Sequence, residues 1–328
     1  MNRFDPFPAS SHDRRLGALL GLAIGDALGA ATEFKGRGSF PPVTTYRKGC
    51  HPIEPGGWTD DTAMAVALGI SLKSGFDLQD QADHYVGWRS GNPIYNPDGR
   101  FDIGGQTASA ISMWNNSQRI DINPKSQGLG NGSIMRLAPA AAYGHERCVP
   151  GCITGDLCAL SSVVTHPAQL CQDTCRIMGT LLFELFDADY LNMDSVKGMA
   201  NTEIVDLILG RHFDYWDLVD GRIIHPKLME LLRVPPPADK TPSNAGHVFD
   251  TFQAAIWCWR TTDSFEAAVL KAANMGGDAD SIGAVTGQLA GAFYGAASFP
   301  DHLVDGLLHK ATLANAWLHL VKESYRNG

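Results

Sequence analysis

The sequence predicts an all-α fold, a compact orthogonal bundle of many helices. Three observations carry that expectation. Long apolar segments with helical start and stop signals recur along the chain. Strand-like alternation is confined to two short stretches, 43–47 and 222–225. Several segments are rich in Ala and Gly, such as AIGDALGAA, AVALG and IGAVTGQLAGAFYGAA. Small residues let helix backbones approach closely, which suits a bundle with many buried helices.

Ser11 precedes DRRLGALLGLAIGDALG and serves as an N-cap for a first long helix. Its apolar run, 16–31, is shorter than the roughly 20 residues of a membrane span and contains Asp26, so it reads as a buried helix. Thr59 caps TDDTAMAVALGISLKSG, which stops at Gly75 after Lys73. Further helices are expected over 78–89, 105–115, 154–164, 168–187, 244–260, 264–274, 279–297 and 302–324. The segment 188–243 is more polar, ends in VPPPADKTPS and reads as an insertion or lid-like excursion. No fixed-period repeat or linker divides the chain, so 1–328 is expected to be a single domain.

The 328 residues are 44% apolar and 19% charged, the balance of a globular protein. A formal charge of −9 argues against nucleic-acid binding, which calls for a basic face. It also requires any anionic ligand to be held by local devices, such as metal ions or backbone N–H groups. The seven cysteines form no CxxC pair and fit reduced thiols, with Cys171 and Cys175 one helical turn apart as a buried pair. With no leader-like start, the expected location is cytoplasmic, without membrane attachment.

Two acidic motifs share one logic. GGWTDDTAMA places Asp60 and Asp61, after Thr59, in the first turn of an apolar helix. NMGGDADSIG does the same with Asp278, Asp280 and Ser281. Acids at a helix N-terminus favour the dipole, and each motif alone has that ordinary explanation. Brought together, the four carboxylates would need a counter-charge. Two divalent ions supply it, and hard carboxylate and hydroxyl oxygens suit Mg²⁺ or Mn²⁺.

Other residues stand out less sharply. Gly128-Leu129-Gly130-Asn131-Gly132-Ser133 runs toward a helix and can offer N–H groups to a phosphate, although such glycines also make ordinary turns. Asp102 in FDIGGQT precedes a helix that it could simply cap. His166 in VTHP fits a turn, and Glu33 in ATEF ends the first helix. Asp26 lies inside an apolar run, where a buried carboxylate needs a donor or cation, such as a place beside a metal.

GLAIGDALGAATEF, GGWTDDTAMA, FDIGGQT, GNGSIMR, THP and NMGGDADSIGAVTGQLAGA occur in an order that resembles the ADP-ribosylglycohydrolases, over about residues 16–295. The resemblance implies an all-α fold with a central binuclear Mg²⁺ or Mn²⁺ site held by Thr59, Asp60, Asp61, Asp278, Asp280 and Ser281. It implies an ADP-ribose site lined by Gly104, Gly105, Gly130, Asn131, Gly132, Ser133 and His166. Glu33 matches a glutamate proposed as the acid in the branch acting on serine-linked and polymeric ADP-ribose. Asp102 is similar to the general acid/base aspartate of the arginine-specific branch. The expected activity is therefore hydrolysis of ADP-ribose from an arginine of a modified partner protein. Gly128-Leu129 offers no aromatic where the serine branch stacks adenine, and an aromatic of HFDYW, 212–216, is the expected substitute. Three alternatives stay open: a hydrolase of serine-linked or polymeric ADP-ribose, a two-metal nucleotide phosphohydrolase, and a non-catalytic ADP-ribose-binding or structural member.

Overall fold

A computed structural model describes residues 9–147, 149–187, 199–218 and 224–322. These residues form fourteen α-helices and one 3₁₀ turn, with no strand among them. In chain order the helices are α1 (Ser11–Gly29), α2 (Asp60–Ser71), α3 (Leu78–Arg89), α4 (Gly105–Ser117), α5 (Ala138–Glu146), α6 (Gly151–Val163) and α7 (Gln169–Phe186). They continue as α8 (Asn201–Leu218), α9 (Pro226–Arg233), α10 (Val248–Arg260), α11 (Phe265–Ala273), α12 (Ala279–Tyr294), α13 (Asp301–Gly306) and α14 (Lys310–Val321).

The centre of the molecule is the antiparallel pair α1 and α12. Their backbones touch along a ladder of glycines spaced four apart, so that one side of each helix is bare. A Cβ on Gly17, Gly21 or Gly25 would lie 2.1, 2.2 or 1.9 Å from the carbonyl oxygen of Gly291, Gly287 or Gly283. At Gly29 the same atom would lie 2.2 Å from the Ala279 carbonyl oxygen. No side chain fits there, and this is the close approach that the small residues imply. The antiparallel register sets the C-terminus of α1 against the N-terminus of α12.

Several expectations shift in detail. Ser10, not Ser11, caps α1, accepting from the Asp13 N–H at 3.1 Å. The expected helix 302–324 divides into α13 and α14, because Leu307 turns extended after Gly306 and His309, with a left-handed φ of +56°, precedes α14; residues 323–324 lie outside the described residues. Helices α5, α8 and α9 were not anticipated. The last two place Ile204, Val205, Ile208, Leu209, Leu228, Leu231 and Leu232 in the main apolar core. Residues 43–47 are irregular rather than a strand: Val43 spends its N–H on the Asn274 side chain at 2.8 Å. Of 222–225, residues 222–223 lie outside the described residues and 224–225 are irregular. No helix among the described residues is long and apolar enough to cross a membrane.

Candidate active site

The site forms where α1 ends and α2 and α12 begin. Thr59 occupies the N-cap position of α2, yet its hydroxyl does not cap the helix. Asp26 of α1 does so from across the interface. Its buried carboxylate accepts from the N–H groups of Thr59, at 3.0 Å, and Thr62, at 3.0 Å. It also accepts from their hydroxyls, at 2.8 and 2.6 Å. Burial raises the Asp26 pKa to about 6 against the lowering pull of these donors. The expectation that Asp26 needs donors is met, and the donors are the first turn of α2.

Two glycines turn the chain into α12. Gly276 and Gly277 both have φ of +65°, a conformation that side chains rarely adopt. The turn exchanges backbone bonds with the end of α1: Phe34 N–H donates to the Gly277 carbonyl at 2.8 Å, and Gly277 N–H donates to that of Lys35 at 2.9 Å. This Glu33–Gly277 bridge brings Glu33 beside the acids of α12.

The two acidic motifs meet. One oxygen each from Asp60, Asp61 and Asp280 lie within 4.8 Å of one another, and so do oxygens of Glu33, Asp102 and Asp280. The two trios share Asp280. Burial first, and neighbouring carboxylates second, push Asp60, Asp61 and Asp280 well above the usual carboxylate range. Asp278 is raised to about 6 for the same leading reason. It stands outside both trios, held by the side-chain amide of Asn131 and by Ser281. The Thr59 hydroxyl lies 3.2 Å from Asp61 Oδ2, beside the cluster.

Asp61 Oδ1 and Asp280 Oδ1 are buried with no hydrogen-bond partner among the described residues. A buried anionic oxygen without a donor is costly, and a hard cation answers that need. The donor set is all oxygen, which matches Mg²⁺ or Mn²⁺ chemistry.

A cavity of about 310 Å³ opens over the cluster, lined by Glu33, Phe34, Asp60, Asp102, Asp278 and Asp280. Gly104, Gly105, Gln106, Gly130, Asn131, Gly132 and His166 line it as well. The glycine loop does not run directly into a helix, since turns occupy 132–136 and α5 starts at Ala138. Two of its N–H groups are already engaged: Gly130 donates to Gln106 Oε1 at 3.1 Å, and Asn131 donates to the Gly246 carbonyl at 3.2 Å. Those of Gly132 and Ser133 have no partner among the described residues. The Ser133 side chain lies beneath the loop, where its hydroxyl accepts from Ser162 at 2.9 Å and from Cys175. Cys171 and Cys175 are both buried and free, as their spacing implies.

His166 is buried, and its pKa falls to about 3, through burial and then the nearby Arg136. The ring is therefore neutral. Arg136 donates to the Gly132 carbonyl at 2.6 Å and to Thr165 Oγ1 at 2.7 Å, and Thr165 in turn bonds His166 Nδ1 at 2.8 Å. A Cβ on Gly132 would meet His166 Cε1 at 2.7 Å, so the ring packs directly on the loop.

Asp102 is exposed at the lip in a left-handed conformation, φ +51°, which a short polar side chain tolerates. It bonds only the next N–H, of Ile103, at 2.9 Å, and caps no helix turn. Of the expected stacking stretch 212–216, the Tyr215 side chain lies outside the described residues, His212 and Trp216 are buried, and the cavity's aromatic residues among the described ones are Phe34 and His166. Residues without an earlier assignment are Gln106, which orders the glycine loop, Phe34, and His51, whose Nε2 bonds the Glu33 carboxylate. Gln106 sits within the FDIGGQT motif and was open to notice. His51 lies in an irregular loop with no pattern to mark it.

A profile of the ADP-ribosylglycohydrolase family matches residues 8–328. The chain belongs to the ADP-ribosylglycohydrolase family. It is 32% identical to ADP-ribosylarginine hydrolase Tri1 of Serratia proteamaculans over 94% of this chain and 78% of that protein. It is 30% identical to ADP-ribosyl-[dinitrogen reductase] glycohydrolase of Rhodospirillum rubrum, over 89% of each. ADP-ribosylhydrolase ARH3 of Mus musculus is 25% identical over 89% of this chain and 87% of that protein. A solved structure titled ADP-ribosylglycohydrolase-related protein complex superposes with a TM-score of 0.74 at 32% identity, covering 95% of this chain and 97% of that one. This family member is an enzyme, a hydrolase acting on glycosidic bonds to ADP-ribose.

Proposed function

We propose that this glycohydrolase releases ADP-ribose from an arginine side chain of a modified protein, using two divalent ions, Mg²⁺ or Mn²⁺. The observation that carries the arginine reading is the position of Asp102. Its carboxylate stands at the open lip, within 4.8 Å of Glu33 and Asp280 oxygens, with no helix N-terminus to serve. The named activities of the Serratia and Rhodospirillum relatives support the same reading.

Asp60, Asp61 and Asp280, with Thr59, Asp278 and Ser281 beside them, would hold the ions. Bound there, divalent ions supply Lewis acidity and a template for the ribose hydroxyls and a water. The rest of the reaction belongs to the chain. Gly132 and Ser133 N–H groups receive the pyrophosphate, and the neutral His166 ring and Gln106 keep the loop in that shape. The anomeric C–N bond faces the lip. Positive charge builds on the ribose as this bond breaks, and the surrounding carboxylates stabilise it. Asp102 moves the proton between the attacking water and the departing guanidine nitrogen. Glu33, held by His51, is the second carboxylate beside that bond.

Incubating the enzyme with arginine-, serine- and polymer-linked ADP-ribose, in the presence of Mg²⁺ or Mn²⁺, tests the proposal. Release of ADP-ribose from arginine is the expected result. Release from serine alone overturns the linkage, and formation of AMP or inorganic phosphate overturns the bond. Enzyme treated with chelator that keeps full activity overturns the ions.

A further inference from the structure

Phe34 is 69% exposed, the second most exposed large apolar side chain among the described residues, and it stands on the wall of the catalytic cavity. Its backbone lies in the left-handed region, φ +60°, where a bulky residue is a genuine outlier. Glycine or asparagine would take that conformation more readily. The turn itself explains the backbone: the Phe34 N–H is held by the Gly277 carbonyl, so Glu33 points inward, 3% exposed, while the next side chain points out. Nothing in the packing explains the ring. Among the described residues it meets one other ring, His51, edge-on at 6.1 Å between centroids. An aromatic kept in a costly conformation, exposed and beside the reacting carboxylates, points to a ligand contact.

The surroundings say which part of the ligand. His51 bonds Glu33 and packs at 5.2 Å against Phe101, the residue before Asp102. His51 thus contacts both Phe34 and Phe101, the residues next to Glu33 and Asp102 in sequence. The glycine loop, which the proposed function assigns to the pyrophosphate, lines the same cavity through Gly130, Asn131 and Gly132. The chemical group that fits an aromatic face bordered by carboxylates is a planar cation, and a guanidinium stacks on such a face while its edge N–H groups meet carboxylate oxygens.

We propose that Phe34 is a specificity residue on which the guanidinium of the target arginine stacks. The proposal rests on the arginine reading. A serine oxygen brings no planar cation to this face, so Phe34 favours arginine-linked over serine-linked substrate.

The test compares wild type with Phe34→Ala, Phe34→Leu and Phe34→Tyr. Steady-state kinetics on an ADP-ribosyl-arginine peptide are read beside calorimetric binding of free ADP-ribose. Phe34→Ala and Phe34→Leu are expected to raise KM about 10-fold, the scale of a partly desolvated cation–π contact, with kcat little changed. Phe34→Tyr is expected to restore KM, and ADP-ribose affinity is expected to stay within about twofold throughout. If KM is unmoved while the wild type cleaves the arginine linkage, the stacking role is wrong and the arginine reading stands. If the variants lose ADP-ribose affinity to the same degree as KM, Phe34 contacts ADP-ribose instead and the proposal is overturned. If the wild type does not cleave the arginine linkage, the functional reading fails first, and this inference with it.

Discussion

At the scale of single residues, the site depends on where carboxylates find their partners. Asp26 is buried and answers four donors at the start of α2. Asp26→Ala leaves those donors unsatisfied beside the acidic cluster and should destabilise the protein by about 2–4 kcal/mol, read by chemical denaturation. Asp26→Asn keeps an acceptor and should recover part of that loss. An Asp26→Ala variant as stable as wild type would remove this cross-helix cap from the account. Asp102, in contrast, is exposed and anchors nothing beyond its neighbour's N–H. Asp102→Asn should therefore keep its melting temperature and its ADP-ribose affinity while kcat falls about 10²–10⁴-fold, the usual loss for a positioned acid/base. Turnover unchanged in that variant would take Asp102 out of the chemistry.

At the scale of elements, two helix N-termini are brought to one point by a third helix. The α1–α12 ladder does this, since its register decides where Asp280 stands relative to Asp26 and Asp60. Gly25→Ala puts a methyl 1.9 Å from a carbonyl oxygen, and the backbones must separate to admit it. The cost should reach or exceed the roughly 1–3 kcal/mol of ordinary overpacking, seen as a lower denaturation midpoint together with weaker Mg²⁺ or Mn²⁺ binding. A variant that loses neither would mean that the ladder does not set the site. Part of this was legible beforehand. The small residues of α1 and α12 announce close packing, and the two Gly-to-acid motifs announce helix starts that carry acids. What a linear pattern cannot show is pairing. That Asp26 serves α2, or that Gly25 meets Gly283, depends on register between segments far apart in sequence. Helix α9 was hidden by a neighbouring VPPP, and α8 by its polar surroundings. The break at 307–309 was hidden because the apolar pattern continues through Leu307, Leu308 and Leu313 while the helical backbone does not.

At the scale of the whole molecule, the acidic cluster couples folding to protons and to cations. Asp26 and Asp278 are raised to about 6, and Asp60, Asp61 and Asp280 well above the ordinary range, mainly by burial. The fold thus binds these protons more tightly than the unfolded chain does. Their contribution to stability is full below the unfolded value of about 4 and is lost as pH rises through 6 and beyond. A divalent ion replaces the protons, so Mg²⁺ or Mn²⁺ should raise the melting temperature little at pH 5 and markedly at pH 8. An equal rise at both would contradict the linkage. The candidate site was more legible than its walls. Asp60, Asp61 and Asp280 come together as their motifs imply while Asp278 stands outside both trios, and His51 and Phe34 come from an irregular loop and a turn, where no periodicity marks a residue. The measurement that bears most directly on the central claim is product analysis on an ADP-ribosyl-arginine protein with Mg²⁺ or Mn²⁺. Free ADP-ribose and regenerated arginine are the predicted products; an intact arginine linkage, alongside release from serine, would contradict the account.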